Sequence, residues 1–377
     1  MSRYGVRSLP RRQSGIVLIL AMLIVVLVTS LVVATSWRFE LGMSRNENRW
    51  HGLQGRMVLE GGERLVSKLL LLEDLNDPAD DGKADHLNEI WNAPQTVPID
   101  GGAITVELED AQSRFNINLL ALPRLPPPPP PAAPVTGPCS DPQSQEFECF
   151  TVAQRRFIRF LQTLPLNEQN LTPEEAKALT QAIIDWMDVG HNVSGFGGAE
   201  QSYYSGSEVP IVVSNAPMTT ISELSLVKGI TPELYDKLLP YVIALPANGD
   251  KAAFLNINTI PDVMFRMFNA KDLPGPLDPD TGSQLARARN EKADPPGQGY
   301  QDVNEFVNDA VIADLRIVTD ANNFDSTQLV ISTNYFIYSA DVMIGDKTRH
   351  GKSLLRRAKS KGGATEVTTL WRTDANF

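Results

Sequence analysis

The sequence predicts an α+β fold: a long N-terminal helix packed on an antiparallel sheet, interrupted by an inserted all-α segment. Three patterns carry that prediction. Apolar residues from Ile16 to Ala34 lead into a stripe at three- and four-residue spacing that reaches Leu70, the period of a helix with one buried face. Apolar and polar residues alternate in 103–110, as in a half-buried strand, and 328–344, 350–360 and 366–373 read as three more strands. Between the first strand and the other three lies a stretch of helical spacing, bracketed by two related phrases, Phe115-Asn116-Ile117-Asn118 and Leu255-Asn256-Ile257-Asn258.

The first element is a membrane span. Ile16 to Ala34 contains only Thr29 and Ser30 as polar residues and gives about 28 Å of helix, close to the hydrocarbon thickness of a bilayer. Arg3, Arg7, Arg11 and Arg12 precede it and hold the N-terminus in the cytoplasm. The expected topology is a single pass through the inner membrane with the bulk exported. Val32-Val33-Ala34 imitates the small-residue cleavage site of a secretory signal, and a cut there is the competing expectation. Beyond the span, Val58, Leu59, Gly62, Leu65, Val66, Leu69 and Leu70 form one stripe, which extends the helix to about Glu73. Gly52, Gly55, Gly61 and Gly62 are expected to loosen it. Asp77 to Gly82 carries the turn chemistry that ends it.

The 377 residues carry a formal net charge of −11, which disfavours nucleic acid and anionic lipid surfaces as partners. The only two cysteines, Cys139 and Cys149, sit close together and are expected to form one local disulfide in an oxidising compartment, two unpaired thiols being the competing reading. That bond pins a loop rather than a core.

The inserted segment opens on six consecutive prolines, Pro126 to Pro131, an extended polyproline II spacer. Thr151 to Leu164 has one apolar face, Thr172-Pro173-Glu174-Glu175 caps a helix through Trp186, and Ser222-Glu223-Leu224 opens a third. Leu226 to Leu234 reads as a helix-hairpin-helix turn around Gly229. DNA-binding hairpins hold phosphate on backbone N–H groups supported by lysines. Here Glu223, Glu233 and Asp236 surround only Lys228 and Lys237, so a structural hairpin is expected and nucleic acid is not.

After Pro246, residues 261–268 and 300–308 have helical spacing, 272–280 reads as a loop, and the three C-terminal strands follow. Lys352, Arg356, Arg357, Lys359 and Lys361 line the second of these, as a solvated face that discourages edge aggregation. Asp185 and Asp188 stand three residues apart at a helix end, and Glu200 follows a Gly-rich loop. These are hard oxygen donors of the type calcium takes on flexible loops. The competing reading makes Asp188 a loop cap and Glu200 half of a surface pair. An enzyme finds little support: the four histidines are scattered, and no H-E-x-x-H, nucleophile elbow or phosphate loop occurs. Asp185 and Asp188 as the paired acids of a membrane-anchored cell-wall hydrolase remain the only catalytic alternative.

The junction Arg11-Arg12-Gln13-Ser14-Gly15, followed by a retained apolar helix, resembles the leader cut by prepilin peptidase. The resemblance implies cleavage after Gly15 and a mature chain starting at Ile16. Most pilins and pseudopilins have glutamate at the fifth mature position, where this sequence has Leu20. A chain lacking that carboxylate is not recruited onto a preceding subunit's N-terminal amine, which suits the outermost position of a filament. Arg114-Phe115-Asn116-Ile117-Asn118, Asp185-Trp186-Met187-Asp188, Gly198-Ala199-Glu200, Tyr203-Tyr204, Asn215-Ala216-Pro217-Met218, Ser222-Glu223-Leu224 and Leu255-Asn256-Ile257-Asn258-Thr259 are, in their order, similar to the general secretion pathway protein K family, large minor pseudopilins of type II secretion.

That resemblance implies a pilin-like fold split by a SAM-like, helix-hairpin-helix insertion. Residues 1–15 are then the leader, 16–36 the membrane helix, 37–118 and 248–377 the two parts of the pilin-like domain, and 119–247 the insertion with its Pro-rich entrance. It also implies calcium in the helical part, a tip complex with minor pseudopilins I and J, contact with the other pseudopilins, and no enzymatic activity. A type IV pilus minor pilin shares the leader but predicts neither the insertion nor its acidic hairpin. N-terminal sequencing of membrane-extracted protein is expected to start at Ile16; a start at Thr35 contradicts the leader assignment.

Overall fold

The computed structural model describes residues 14–76, 84–122, 146–166, 169–206, 210–249, 252–292, 297–309, 312, 325–359 and 365–373. The turn at 77–82, the proline run and Cys139 lie outside them. Cys149 is buried and disulfide-bonded.

Helix α1 (Ser14–Asn76) is continuous for 63 residues, about 95 Å. Among the described residues it is the one helix long and apolar enough to cross a membrane. Its distal half lies on an antiparallel sheet built from β1 (Gln95–Ile99), β2 (Gly102–Asp110), β3 (Tyr335–Ile344), β4 (Lys347–Lys359) and β5 (Thr365–Thr373), in that spatial order. β1 is absent from the sequence reading because Gln-Thr-Val-Pro-Ile is short, exposed and carries Pro98, which suits an edge strand only. Asp100-Gly101 turns its hairpin with β2, Gly101 standing at φ +78°, a signal the sequence reading does not use.

Along β3 the faces alternate. Phe336, Tyr338, Ala340, Val342 and Ile344 pack beneath Val66 and Leu70 of α1. Tyr335 and Ile337 point the other way, onto Ile243, Leu245 and Ala253. The glycines of α1 do not loosen it. A Cβ at Gly62 would stand 2.5 Å from Tyr338 Oη, so the missing side chain lets Tyr338 reach the helix and donate to Leu59 O at 3.0 Å. Leu65, read as part of the buried stripe, is exposed on the far face. Its inward neighbour Glu63 is buried and accepts from Arg372 Nε and Nη2, both at 2.7 Å, and from Ser353 Oγ at 2.6 Å.

The chain leaves the sheet at Asp110 and returns beside it, with Asp110 opposite Phe336. Among the described residues between these two points lies the helical body: α2 (Val152–Leu161), α3 (Pro173–Met187), α4 (Pro232–Leu238), α5 (Pro279–Glu291), the short helices Gln201–Ser205 and Val303–Val307, and 3-10 turns. Thr151/Gln154 and Thr172/Glu175 form capping boxes. The third predicted helix is a 3-10 segment, Ile221–Leu226. α5 is a correction: Asp278-Pro279 begins a helix, with Asp278 Oδ1 accepting from Asp280 N and Thr281 N at 3.0 Å, although 272–280 reads as a loop. Packing also carries the helical body beyond residue 247, since Leu255, Phe265, Phe268, Leu285, Phe306 and Leu329 share one apolar cluster with α2 and α3.

The two Asn-rich phrases occupy equivalent joints. Phe115–Asn116 pairs in parallel with Val242–Ile243, and Leu255–Asn256 with Leu329–Val330. In each, the first asparagine accepts from the amide two residues on, at 3.2 and 3.0 Å. The second clasps a distant residue's backbone twice: Asn118 holds Met218 N and O, and Asn258 holds Tyr300 N and O.

A buried polar network fastens this body to the sheet. Asp110 accepts from Gln112 N at 2.6 Å, Asn256 Nδ2 at 3.0 Å, Thr259 Oγ1 and Thr333 Oγ1. Arg357 binds the Asp85 carboxylate and donates to Thr333 O. Arg357 is therefore not on a solvated face, as its place in the basic run predicts; it is buried because Asp85 meets it there. Burial pushes the Asp110 carboxyl up to about 6 against the pull of Thr259 and Thr333, and Asp85 adds to the rise.

Burial raises the Glu63 carboxyl, but the donors Arg372, Ser353 and Thr369 outweigh it and hold the group below the ordinary carboxylate range. Its contribution to stability is then present above the unfolded-state value and lost as pH falls through the lower folded one. Glu63→Gln is expected to destabilise the fold by about 1–3 kcal/mol near neutrality, with the deficit shrinking on acidification. Thermal unfolding across pH measures this; a deficit that grows on acidification contradicts it.

Candidate functional site

Two places combine exposed or unsatisfied groups in a way that simple folding does not require: the loop after α3 and the outer face of α1.

At the end of α3, Asp185 is fully buried and its carboxylate accepts from Ser194 N at 3.1 and 3.2 Å. Asp188 caps the helix and accepts from Gly190 N at 2.9 Å. The loop then folds back on α3, where Gly197 N donates to Gln181 Oε1 at 3.0 Å. Gly197 and Gly198 are required for that approach: a Cβ at the first would stand 2.1 Å from Ala178 Cα, and one at the second 2.2 Å from Asp185 Oδ2. Glu200 ends the loop with both carboxylate oxygens buried and without a hydrogen-bond partner, which is costly for a charged group.

These acids feel one another. Burial raises the Asp185 carboxyl against the Ser194 donors, and the charge of Asp188 raises it further. Burial, Asp185 and Asp188 all raise Glu200, while His191 lowers it. Among the described residues no three His, Cys, Asp or Glu side chains converge as a ready-made metal cluster. An ion here would need backbone carbonyls of the loop as well. His191 and Ser194 were not singled out by sequence; neither stands in a recognisable pattern.

The hairpin lysine has a local task. Lys228 Nζ donates to Gly197 O at 3.2 Å and Gly198 O at 3.1 Å, and its ammonium lies 5.0 Å from the Tyr203 ring centre. Its backbone N donates to Tyr204 Oη at 3.0 Å, and Tyr204 stacks edge-on with Trp186 at 5.3 Å. Lys228 thus ties the helix-hairpin-helix turn to the Gly-rich loop.

The second place is the face of α1 turned away from the sheet. Phe39, Met43, Trp50, Leu53, Met57 and Leu65 recur along it at helical spacing, each more than half exposed. Their spacing was legible in the sequence, but the inward stripe beside them drew the periodicity argument.

A profile of the family described as type II secretion system (T2SS), protein K matches residues 113–247. Type II secretion system protein K of Aeromonas hydrophila is 32% identical over 251 residues, covering 66% of this chain and 68% of that protein. The protein of the same name from Pseudomonas aeruginosa is 28% identical over 93% of this chain and 90% of its own. Among solved structures, the GspK-GspI-GspJ complex of enterotoxigenic Escherichia coli contains a chain that superposes with a TM-score of 0.64 at 25% identity, over 87% of this chain and 98% of that one. A chain of that complex thus shares this fold, and with the Aeromonas protein matched over two thirds of its length the chain belongs to the type II secretion system protein K family of minor pseudopilins.

Proposed function

We propose that the chain is anchored in the inner membrane with its N-terminus in the cytoplasm and its folded body in the periplasm. Prepilin peptidase cuts it after Gly15, and it then assembles with minor pseudopilins I and J to start and cap the pseudopilus that exports folded proteins. The observation that carries this reading is the outward apolar stripe of α1. A large aliphatic or aromatic side chain gains about 1.5–3 kcal/mol on full burial, and six of them in register on one helix face form a seam for neighbouring subunit stems. The E. coli relative's occurrence in a complex with GspI and GspJ supports the identity of those neighbours. Leu20 supports the outermost place: with no carboxylate at the fifth mature position, the chain receives the next subunit without docking on a previous one. The helical body supplies the cap by bulk, and no catalytic role is assigned to it.

Co-purification of the full chain with minor pseudopilins I and J tests this. Leu53→Glu with Met57→Glu is expected to weaken the association at least about tenfold, since each places a charge in the seam, while leaving the melting temperature unchanged because both residues face solvent in the isolated chain. Undiminished association contradicts the stripe's role.

The loop after α3 supports a second element of the proposal. Calcium fits Asp185, Asp188 and Glu200 because they are hard oxygen donors and because the Glu200 oxygens are buried with no side-chain donor on them, only the adjacent Gln201 N–H drawing the carboxyl down. Carbonyls of the loop between Asp188 and Gly197 would complete the shell, since those of Gly197 and Gly198 are held by Lys228, and the bound ion would neutralise the three acids and stiffen the loop. Calcium is expected to raise the melting temperature of the chain, and Glu200→Gln to abolish the rise. A melting temperature indifferent to calcium and to chelator contradicts the site.

A further inference from the structure

Between the stem and the β3–β4 hairpin lies a cleft of about 410 Å³ that no part of the foregoing assembly uses. Its walls carry Arg349, Lys347 and His51. Arg349 lies flat across the bare helix backbone of Gly52 and Gly55: a Cβ at Gly52 would stand 2.8 Å from its Nη2, and one at Gly55 3.2 Å from its Cδ. Its guanidinium has no hydrogen bond or ion pair among the described residues. His51 turns a buried Nδ1 into the same space with no partner. Lys347 completes the cationic side; its nearest carboxylate is the solvent-facing Asp346, at 3.2 Å. The other acid near the cleft, Asp341, is already taken by His350 Nδ1. A planar guanidinium, an ammonium and an imidazole around one cleft match a carboxylate in geometry and charge.

We propose that this cleft receives an acidic side chain of a neighbouring pilin-type subunit, so that an ionic anchor fixes the height at which that subunit docks. The inference rests on the assembly reading above. Two observations favour a protein carboxylate over a lipid phosphate. Asn48, at the cleft's lower edge, is about 20 Å of helix beyond Ala34, past the reach of headgroups around an anchored stem. At the same height the opposite face of α1 exposes Trp50, Leu53 and Met57, which call for a protein neighbour rather than a bilayer. The glycines give the anchor its precision, because any side chain at 52 lifts Arg349 off the helix.

The test uses the full chain in detergent, mixed with minor pseudopilins I and J and treated with a carbodiimide, which joins an amine to a carboxylate only at ion-pair distance. The expected result is a Lys347 cross-link to an Asp or Glu of a partner, read by mass spectrometry. Arg349→Glu is expected to weaken association at least about tenfold and to remove the cross-link, with Gly52→Ala showing a smaller loss. Both should keep the wild-type melting temperature, since the Arg349 head group has no bonds to lose. Association of wild-type chain that survives Arg349→Glu with no Lys347 cross-link overturns the cleft alone. Failure of the wild type to associate overturns the assembly reading together with it. Saturable binding of inorganic phosphate without any cross-link assigns the cleft to a small anion and likewise overturns the proposal.

Discussion

The rest of the structure depends on the buried polar joint where the chain leaves its sheet. Asp110 sits at the end of β2, and the chain that leaves there must be brought back at Tyr335 to pair beside it. A carboxylate buried this deeply is tolerable only when donors surround it. The donors come from both bodies: Gln112 from the outgoing chain, Asn256 and Thr259 from the helical body, and Thr333 from the segment re-entering the sheet. Arg357 of β4 and Asp85, from the segment after the stem, close the network. Directional bonds of this kind specify one relative placement, where an apolar contact would accept several.

That placement is what makes the two halves serve one function. The distal stem is fixed to the sheet by Glu63, whose four oxygen-directed contacts come from β4 and β5, and by Tyr338 seated over Gly62. The sheet is fixed to the helical body by the Asp110 joint and by the contacts of Tyr335 and Ile337 with Ile243, Leu245 and Ala253. A load path therefore runs from an apolar stem, through a sheet, into a bulky helical body. Its outward stem face remains free for neighbours among the described residues, and the polar joint ties the body to it.

The periodic elements were legible in the sequence. α1, β2, the C-terminal strands, and the helices α2 and α3 follow from spacing, with the Thr-x-x-Glu start of α3 marking its cap. What escaped was local or tertiary. β1 is too short and too exposed to alternate, and α5 is announced only by Asp278-Pro279. Glu63 and Arg357 look solvated in one dimension because their partners are about 300 and 270 residues away. The glycines of α1 illustrate the same point: their low helix propensity is real, but the approach of Tyr338 and Arg349 decides their role. In the loop after α3, the identities of Asp185, Asp188 and Glu200 were visible, whereas the orphaned state of the Glu200 oxygens appears only once the loop is folded against α3.

The most direct measurement of this account is the distance distribution between spin labels on the outer stem, at Leu65, and on the helical body, at Val189, both exposed positions. If the polar joint fixes the two bodies, pulsed electron resonance on the full chain will give one narrow distance that broadens when Asn256→Ala removes a donor from Asp110. A broad distribution in the otherwise unaltered chain, unchanged by that substitution, would contradict it.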